Sequence, residues 1–202
     1  ARVEDHTNGI YQALVESRIP FEMVHDHKLD AADVGRFKTL ILPNIACLSE
    51  KQCGQLSDFV KKGGSIVATH ETSLYDEWGV RQENFGLSGI FRATFDGKVD
   101  VRMQNSYVHL EHSHPLLRGL EGTTRIINGV SRVHTTSTAG GTPPLTVVPS
   151  YPDLPMEDVY PRIPHTNLPA VHLAEFGSGR VVYFPWDIDR TFWEVLSGDH
   201  LT

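Results

Sequence analysis

The 202 residues include 40% hydrophobic and 21% charged positions and carry a formal net charge of −7, an ordinary balance for a globular protein. That acidity argues against a nucleic-acid or anionic-membrane surface, since either needs a cationic field. No apolar run approaches the ~20 residues of a membrane span, and the length suits one domain, or one domain with a large insertion, around a substantial core. Cys47 and Cys53 lie beside and within one helix start. They read as reduced packing residues of a cytoplasmic protein not built on disulfides.

In chain order, Asp5 or Thr7 is placed to cap a first helix whose buried side carries Ile10, Tyr11, Leu14 and Val15. The chain opens at Ala1 and enters this helix almost directly. A doubly wound sheet normally opens with its central strand, so a piece of a longer polypeptide is expected. Phe21 to Val24 reads as a short strand with His25-Asp26-His27 at its carboxyl end, Asp30 to Arg36 as a turn or short helix, and Phe37 to Leu42 as a buried strand closed by Pro43-Asn44.

The stretch from Ser49 to Leu74 organises the chain. Ser49 and Gln52 have capping-box spacing, with Leu48 and Cys53 placed as the hydrophobic staple. Cys53, Leu56, Phe59 and Val60 form one apolar stripe, Lys61 and Lys62 suit the negative end of the helix dipole, and Gly63-Gly64 stops the helix. Ser65 to Thr69 is too continuously apolar for a strand with one wet face, so both faces should be covered. His70-Glu71-Thr72-Ser73 then falls at the carboxyl end of that strand, where ligands collect in open α/β sheets.

Beyond Leu74 the pattern changes. Asn84 to Phe91 reads as a modest helix; Val99–Met103, Ser106–Leu110, Ile126–Val130 and Leu145–Val148 read as short strands of a mixed sheet. Eight of the twelve prolines lie from Pro143 to Pro169, so that span is expected to be an irregular arm. Ala170–Ala174 and Arg180–Phe184 pair around Gly177-Ser178-Gly179. A last helix runs from Thr191 to Leu196, with Phe192, Trp193 and Leu196 inward. The expected fold class is α/β, a sandwich with a mostly parallel sheet and a β-rich, proline-rich insertion over about 99–169 in a single domain spanning 1–202.

Several segments together resemble a known family: Val3-Glu4-Asp5-His6 leading to Gly9-Ile10-Tyr11, Leu40 to Asn44, Gly63-Gly64, Thr69 to Asp76, and Gly179 to Phe184. They resemble the trimerisation domain that follows the catalytic barrel in family-42-type β-galactosidases. That domain has the three-layer, flavodoxin-like fold of class I glutamine amidotransferases. A more distant likeness is to trehalose-utilisation-type domains. The resemblance implies a non-catalytic accessory and oligomerisation domain of a glycoside hydrolase, a homo-oligomer (a trimer), an upstream barrel as partner, carbohydrate as a possible ligand, and no cofactor.

A working amidotransferase carries a cysteine nucleophile on the turn after the strand that here is Ser65 to Thr69. This chain has Thr69-His70-Glu71 there, and both cysteines lie upstream of that strand. Without a thiolate at that turn the thioester route is closed.

The strand-end residues His25, Asp26, Asn44, His70, Glu71, Trp186 and Asp187 are the candidate ligand-binding rim. One reading makes them a polar site for sugar hydroxyls with Trp186 as a stacking platform. The plainer one makes them caps and turn residues, or an interface to the barrel. Glu71 and Asp187 offer an acid/base pair, since glycoside hydrolysis needs two carboxylates about 5–10 Å apart, although a buried carboxylate bonded to loop amides is the commoner arrangement. His109, His112 and His114, with His25 and His27, invite a metal reading, but H-x-x-H-x-H matches no recurring zinc site, so no metal is assigned. Ser73 and Ser178 lack a nucleophile-elbow context, and no glycine-rich phosphate loop is present. The alternative function is a free-standing carbohydrate-binding protein or small hydrolase that uses His70, Glu71 and Asp187.

Overall fold

A computed structural model describes residues 4–151, 155, 158 and 163–194. It is a mixed α/β fold in which one mostly parallel sheet is accompanied by two antiparallel ones. The main sheet has the order β1 (Thr39–Leu42), β2 (Ser65–Thr69), β9 (Gly179–Phe184), β8 (His172–Phe176). Its first three strands are parallel, and β8 runs antiparallel along the edge. A two-residue loop, Gly177-Ser178, closes the β8–β9 hairpin. Gly177 sits at φ 61°, and a Cβ there would lie 2.5 Å from the Lys61 carbonyl oxygen, so both backbone freedom and close approach call for glycine.

Helix α3 (Glu50–Lys61) is built as its sequence dictates. Ser49 Oγ accepts from the Gln52 N–H at 3.3 Å, and Gln52 Oε1 accepts from the Ser49 N–H at 2.9 Å, which completes the capping box. At the other end the Gly63 and Gly64 N–H groups donate to the carbonyls of Val60 and Phe59, with Gly63 at φ 109°. This is a Schellman stop. Cys53, Leu56, Phe59 and Val60 are all buried.

Strand β2 is covered on both faces. Ile66 and Ala68 belong to a core with Leu40, Leu56, Phe59, Val60, Phe91 and Tyr183, whereas Val67 packs into a second core with Val147, Phe184 and Trp186. The second core joins the main sheet to the three-stranded sheet β5 (Arg125–Ile127), β4 (Tyr107–Leu110), β7 (Leu145–Val148). The remaining ladder pairs β3 (Ala93–Asp100) with β6 (Arg132–Ser137) and shifts register between Phe95 and Val99.

Several expectations need correction. Residues 21–24 form no strand: Phe21 and Met23 are exposed and no ladder partner reaches them among the described residues. Helix α1 (Glu4–Glu16) buries His6 and Gly9, while Tyr11 and Val15 are 50% and 47% exposed, because its inner face lies against α5 (Ile188–Glu194). The helix expected from Asn84 shrinks to α4 (Ser88–Phe91), since Asn84 Oδ1 is spent on the N–H groups of Phe85 and Phe95. The strand expected over Val99–Met103 belongs to the longer β3, which ends at Asp100. In α5, Phe192 is half-buried and Trp193 is 36% exposed. Leu196, and the part of the proline-rich arm at 152–154, 156–157 and 159–162, lie outside the described residues. A short helix α2 (Ala31–Val34) fills the expected turn region.

Candidate functional site

The carboxyl ends of β2 and β9 hold a polar network. After Thr69 the chain turns sharply, with His70 in the left-handed region at φ 50°. The turn is fastened by the His70 N–H donating to Phe184 O at 2.8 Å and by Tyr183 Oη donating to His70 O at 2.5 Å. A left-handed non-glycine residue at a strand end is a strained conformation that its surroundings must impose. The chain thus makes a tight elbow after β2 that carries an imidazole at its apex.

That imidazole is internal. His70 Nε2 lies 2.8 Å from Ser131 Oγ, and Ser131 Oγ donates its one proton to Asp100 O at 2.9 Å. Ser131 must then accept, so Nε2 of His70 carries the proton. Its Nδ1 is buried without a partner, 3.8 Å from Glu71 Oε2. Burial, seconded by His6 and Arg190 and opposed by Asp189, lowers the His70 pKa to about 4. The ring is neutral under ordinary conditions.

Asp189 is the centre of the network. It accepts from Thr69 Oγ1 at 2.6 Å, sits 2.8 Å from His6 Nδ1, and takes the Arg190 N–H at 2.8 Å. Thr69 Oγ1 in turn accepts from the Asn44 N–H at 2.8 Å, and Asn44 Oδ1 takes the Glu71 N–H at 3.1 Å. The rings of His6 and His70 stack at 5.6 Å. Asp187 is wholly buried, bonded to the Ser131 N–H at 3.1 Å and to Arg190 Nη1 at 3.3 Å. Burial raises its pKa, against the pull of the Ser131 amide and Arg190. Gly129 makes room for it, for a Cβ there would lie 1.7 Å from Asp187 Oδ1.

Of the expected rim, the fold draws Asn44, His70, Glu71 and Asp187 into this network and leaves the others apart. His25 and Asp26 are exposed, with the Asp26 carbonyl accepting from Gln52 Nε2. Trp186 is a core residue, 2% exposed, whose indole N–H donates to Ala170 O at 2.9 Å. Glu71 accepts from Tyr75 Oη at 3.1 Å. His6, Thr69, Ser131 and Asp189 were absent from the expected set, although Thr69 ends β2 and Asp189 lies two residues beyond the chosen Asp187. Both cysteines are free, Cys53 buried and Cys47 exposed, and neither reaches the elbow; burial pushes the Cys53 thiol up to about 11. The inner members His6, Thr69, His70, Ser131, Asp187 and Asp189 are all buried, with Asn44 and Glu71 half-buried at the edge. An open cavity of about 280 Å³ lies elsewhere, lined by Tyr107, Arg125, Ile126, Ile127 and Tyr151.

Residues 1–201 match the family model described as the beta-galactosidase trimerisation domain. The chain belongs to that family. Its fold is shared with solved glycosidases at low identity. The β-galactosidase from Bacillus circulans sp. alkalophilus superposes with a TM-score of 0.75 at 14% identity, over 98% of this chain and 26% of the other. The cold-adapted β-galactosidase from Rahnella sp. R3 gives 0.72 at 19% identity, over 96% and 26%. A cytoplasmic protein from Salmonella typhimurium gives 0.61 at 10% identity over 92% of this chain and 83% of its own. No curated protein matches the chain. This trimerisation domain thus spans about a quarter of the length of the β-galactosidases it resembles. Among the described residues no helix is long and apolar enough to cross a membrane.

Proposed function

We propose that this trimerisation domain is a non-catalytic accessory module of a β-galactosidase-type glycoside hydrolase. It would hold copies of the parent together and brace an upstream catalytic barrel. The observation that carries the reading is the buried histidine of the elbow. A buried neutral histidine occupies the nucleophile position, and its Nε2–H is committed to Ser131. The one buried carboxylate of the supposed acid/base pair, Asp187, is committed to Ser131 and Arg190. Groups so engaged are not free to bind or protonate a substrate. Carbohydrate is accordingly assigned to the parent's barrel and not to this rim.

An exposed apolar strip supports the oligomerising role. Tyr11, Val15, Ile19, Phe21 and Met23 are 50%, 47%, 52%, 38% and 74% exposed along the outer side of α1 and the segment after it. Clustered exposed apolar side chains mark interaction surfaces. The parallel order of β1, β2 and β9, with α3 against one face, agrees with a three-layer, flavodoxin-like sandwich of the class I glutamine amidotransferase type, here one domain over 1–202.

The test uses the full-length polypeptide in sedimentation velocity and aryl β-galactoside turnover. A trimer that dissociates on Phe21→Asp with Met23→Lys, and turnover unaffected by Glu71→Gln, are expected. A monomer at every concentration would overturn the oligomerising role. Turnover abolished by Glu71→Gln in a folded trimer would favour the hydrolase reading instead.

A further inference from the structure

We infer that His109, Glu111 and His165 form a binding site for a divalent transition-metal ion of the zinc class. The three residues each offer a ligand atom, and those atoms all lie within 4.8 Å of one another. The fold explains the meeting. His109 and Glu111 are two apart along β4 and its extension, so the pleat puts them on one face. His165 arrives from the arm that crosses β7, where the Thr166 N–H donates to Val147 O at 3.0 Å. Arg125 Nη2 donates to Pro164 O at 3.1 Å and so fixes the arm beside the strand, although it also adds a positive charge to the neighbourhood.

Two features point to a ligand beyond mere proximity. His109 Nδ1 is buried with no hydrogen-bond partner. Glu111 Oε1 already accepts from Thr146 Oγ1, opposite His109 across the ladder, which is the outer support that metal-binding carboxylates carry. The imidazoles of His109 and His165 stack at 4.6 Å, and His165 Nε2 lies 3.7 Å from Glu111 Oε1. A tetrahedral ion with bonds of about 2.0–2.2 Å needs donors roughly 3.5 Å apart, so the set must close by about an ångström. The exposed His165 is free to make that movement. Two neutral imidazoles and one carboxylate give an N₂O donor set with net charge −1, which suits zinc and leaves a fourth position for water.

The neighbouring histidines stand aside. His112 is exposed, and His114 Nδ1 accepts from the Leu116 N–H at 3.1 Å to cap a short 3₁₀ turn. His25 and His27 stack on one another at 5.2 Å on the surface.

The experiment strips the full-length polypeptide with EDTA and titrates it with Co²⁺, followed by visible d–d absorption, and with Zn²⁺ by calorimetry. The unmutated protein is expected to bind one ion per chain more than His165→Ala, an exposed change that leaves the fold intact by thermal melting. Thr146→Val should weaken that ion about tenfold through loss of the outer hydrogen bond, and His112→Ala should change nothing. Equal stoichiometry and affinity in the unmutated protein and His165→Ala, or loss of the ion on His112→Ala, would overturn the site.

Discussion

Thr69 Oγ1 donates to Asp189 Oδ2 at 2.6 Å across 120 residues of chain, deep inside the fold. The pair locks the end of β2 to the start of α5, and His6 closes on the other carboxylate oxygen. Asp189→Ala would leave a buried hydroxyl and a buried imidazole N–H competing for no acceptor. Removing one partner of such a set costs about 3–5 kcal/mol. The expected outcome is a urea midpoint lowered accordingly, with Asp189→Asn losing less.

The contact between α1 and α5 depends on a missing side chain. A Cβ on Gly9 would lie 1.8 Å from the Asp189 carbonyl oxygen, which is backbone and cannot swing aside. Gly9→Ala should therefore cost about 1–3 kcal/mol by forcing the helices apart. An unchanged melting temperature would mean that α1 is not held at this distance in solution.

Phe59 is 8% exposed and lies over Gly64, whose absent Cβ would come within 2.3 Å of the ring. Phe59→Ala should cost about 3–5 kcal/mol, the transfer loss plus the cavity. A loss below about 1 kcal/mol in chemical denaturation would place that ring outside the core.

Acid should destabilise the domain in a defined window. Burial lowers the pKa of both His70 and His172 to about 4, against an ordinary 6.5. Between those values the unfolded chain binds protons that the native one does not. The stability is fully present above pH 6.5 and falls as pH drops through the window, by up to about 3 kcal/mol per histidine. Asp187, with its pKa raised by burial, works in the opposite sense. Urea midpoints near neutral pH and at about pH 4.5 should differ in the native chain and differ less in His172→Gln.

Local chemistry was legible wherever it was self-contained. Ser49 with Gln52, and Gly63-Gly64 after Val60, set the ends of α3 without help from the rest of the chain. The continuous apolar run of β2 announced two covered faces. Phe21 to Val24 misled because apolar residues in sequence need not be interior; here they form surface. The β6 segment, Arg132 to Ser137, escaped notice because its polar residues become a strand only against β3. Trp186 reads equally well as a platform or a core ring until its neighbours are placed. Asp189 and His6 meet across 183 residues, and His165 joins His109 across an arm, so no local pattern encodes either meeting.

The clasp between His6 and Asp189 also ties the first described helix to the last. Helices 4–16 and 188–194 lie side by side, so two segments far apart in the chain form one paired layer over the polar interior. That adjacency makes the first helix part of the lid over the buried network. Trimming the leading sixteen residues would expose the polar interior to water and leave the closing helix with nothing to rest on.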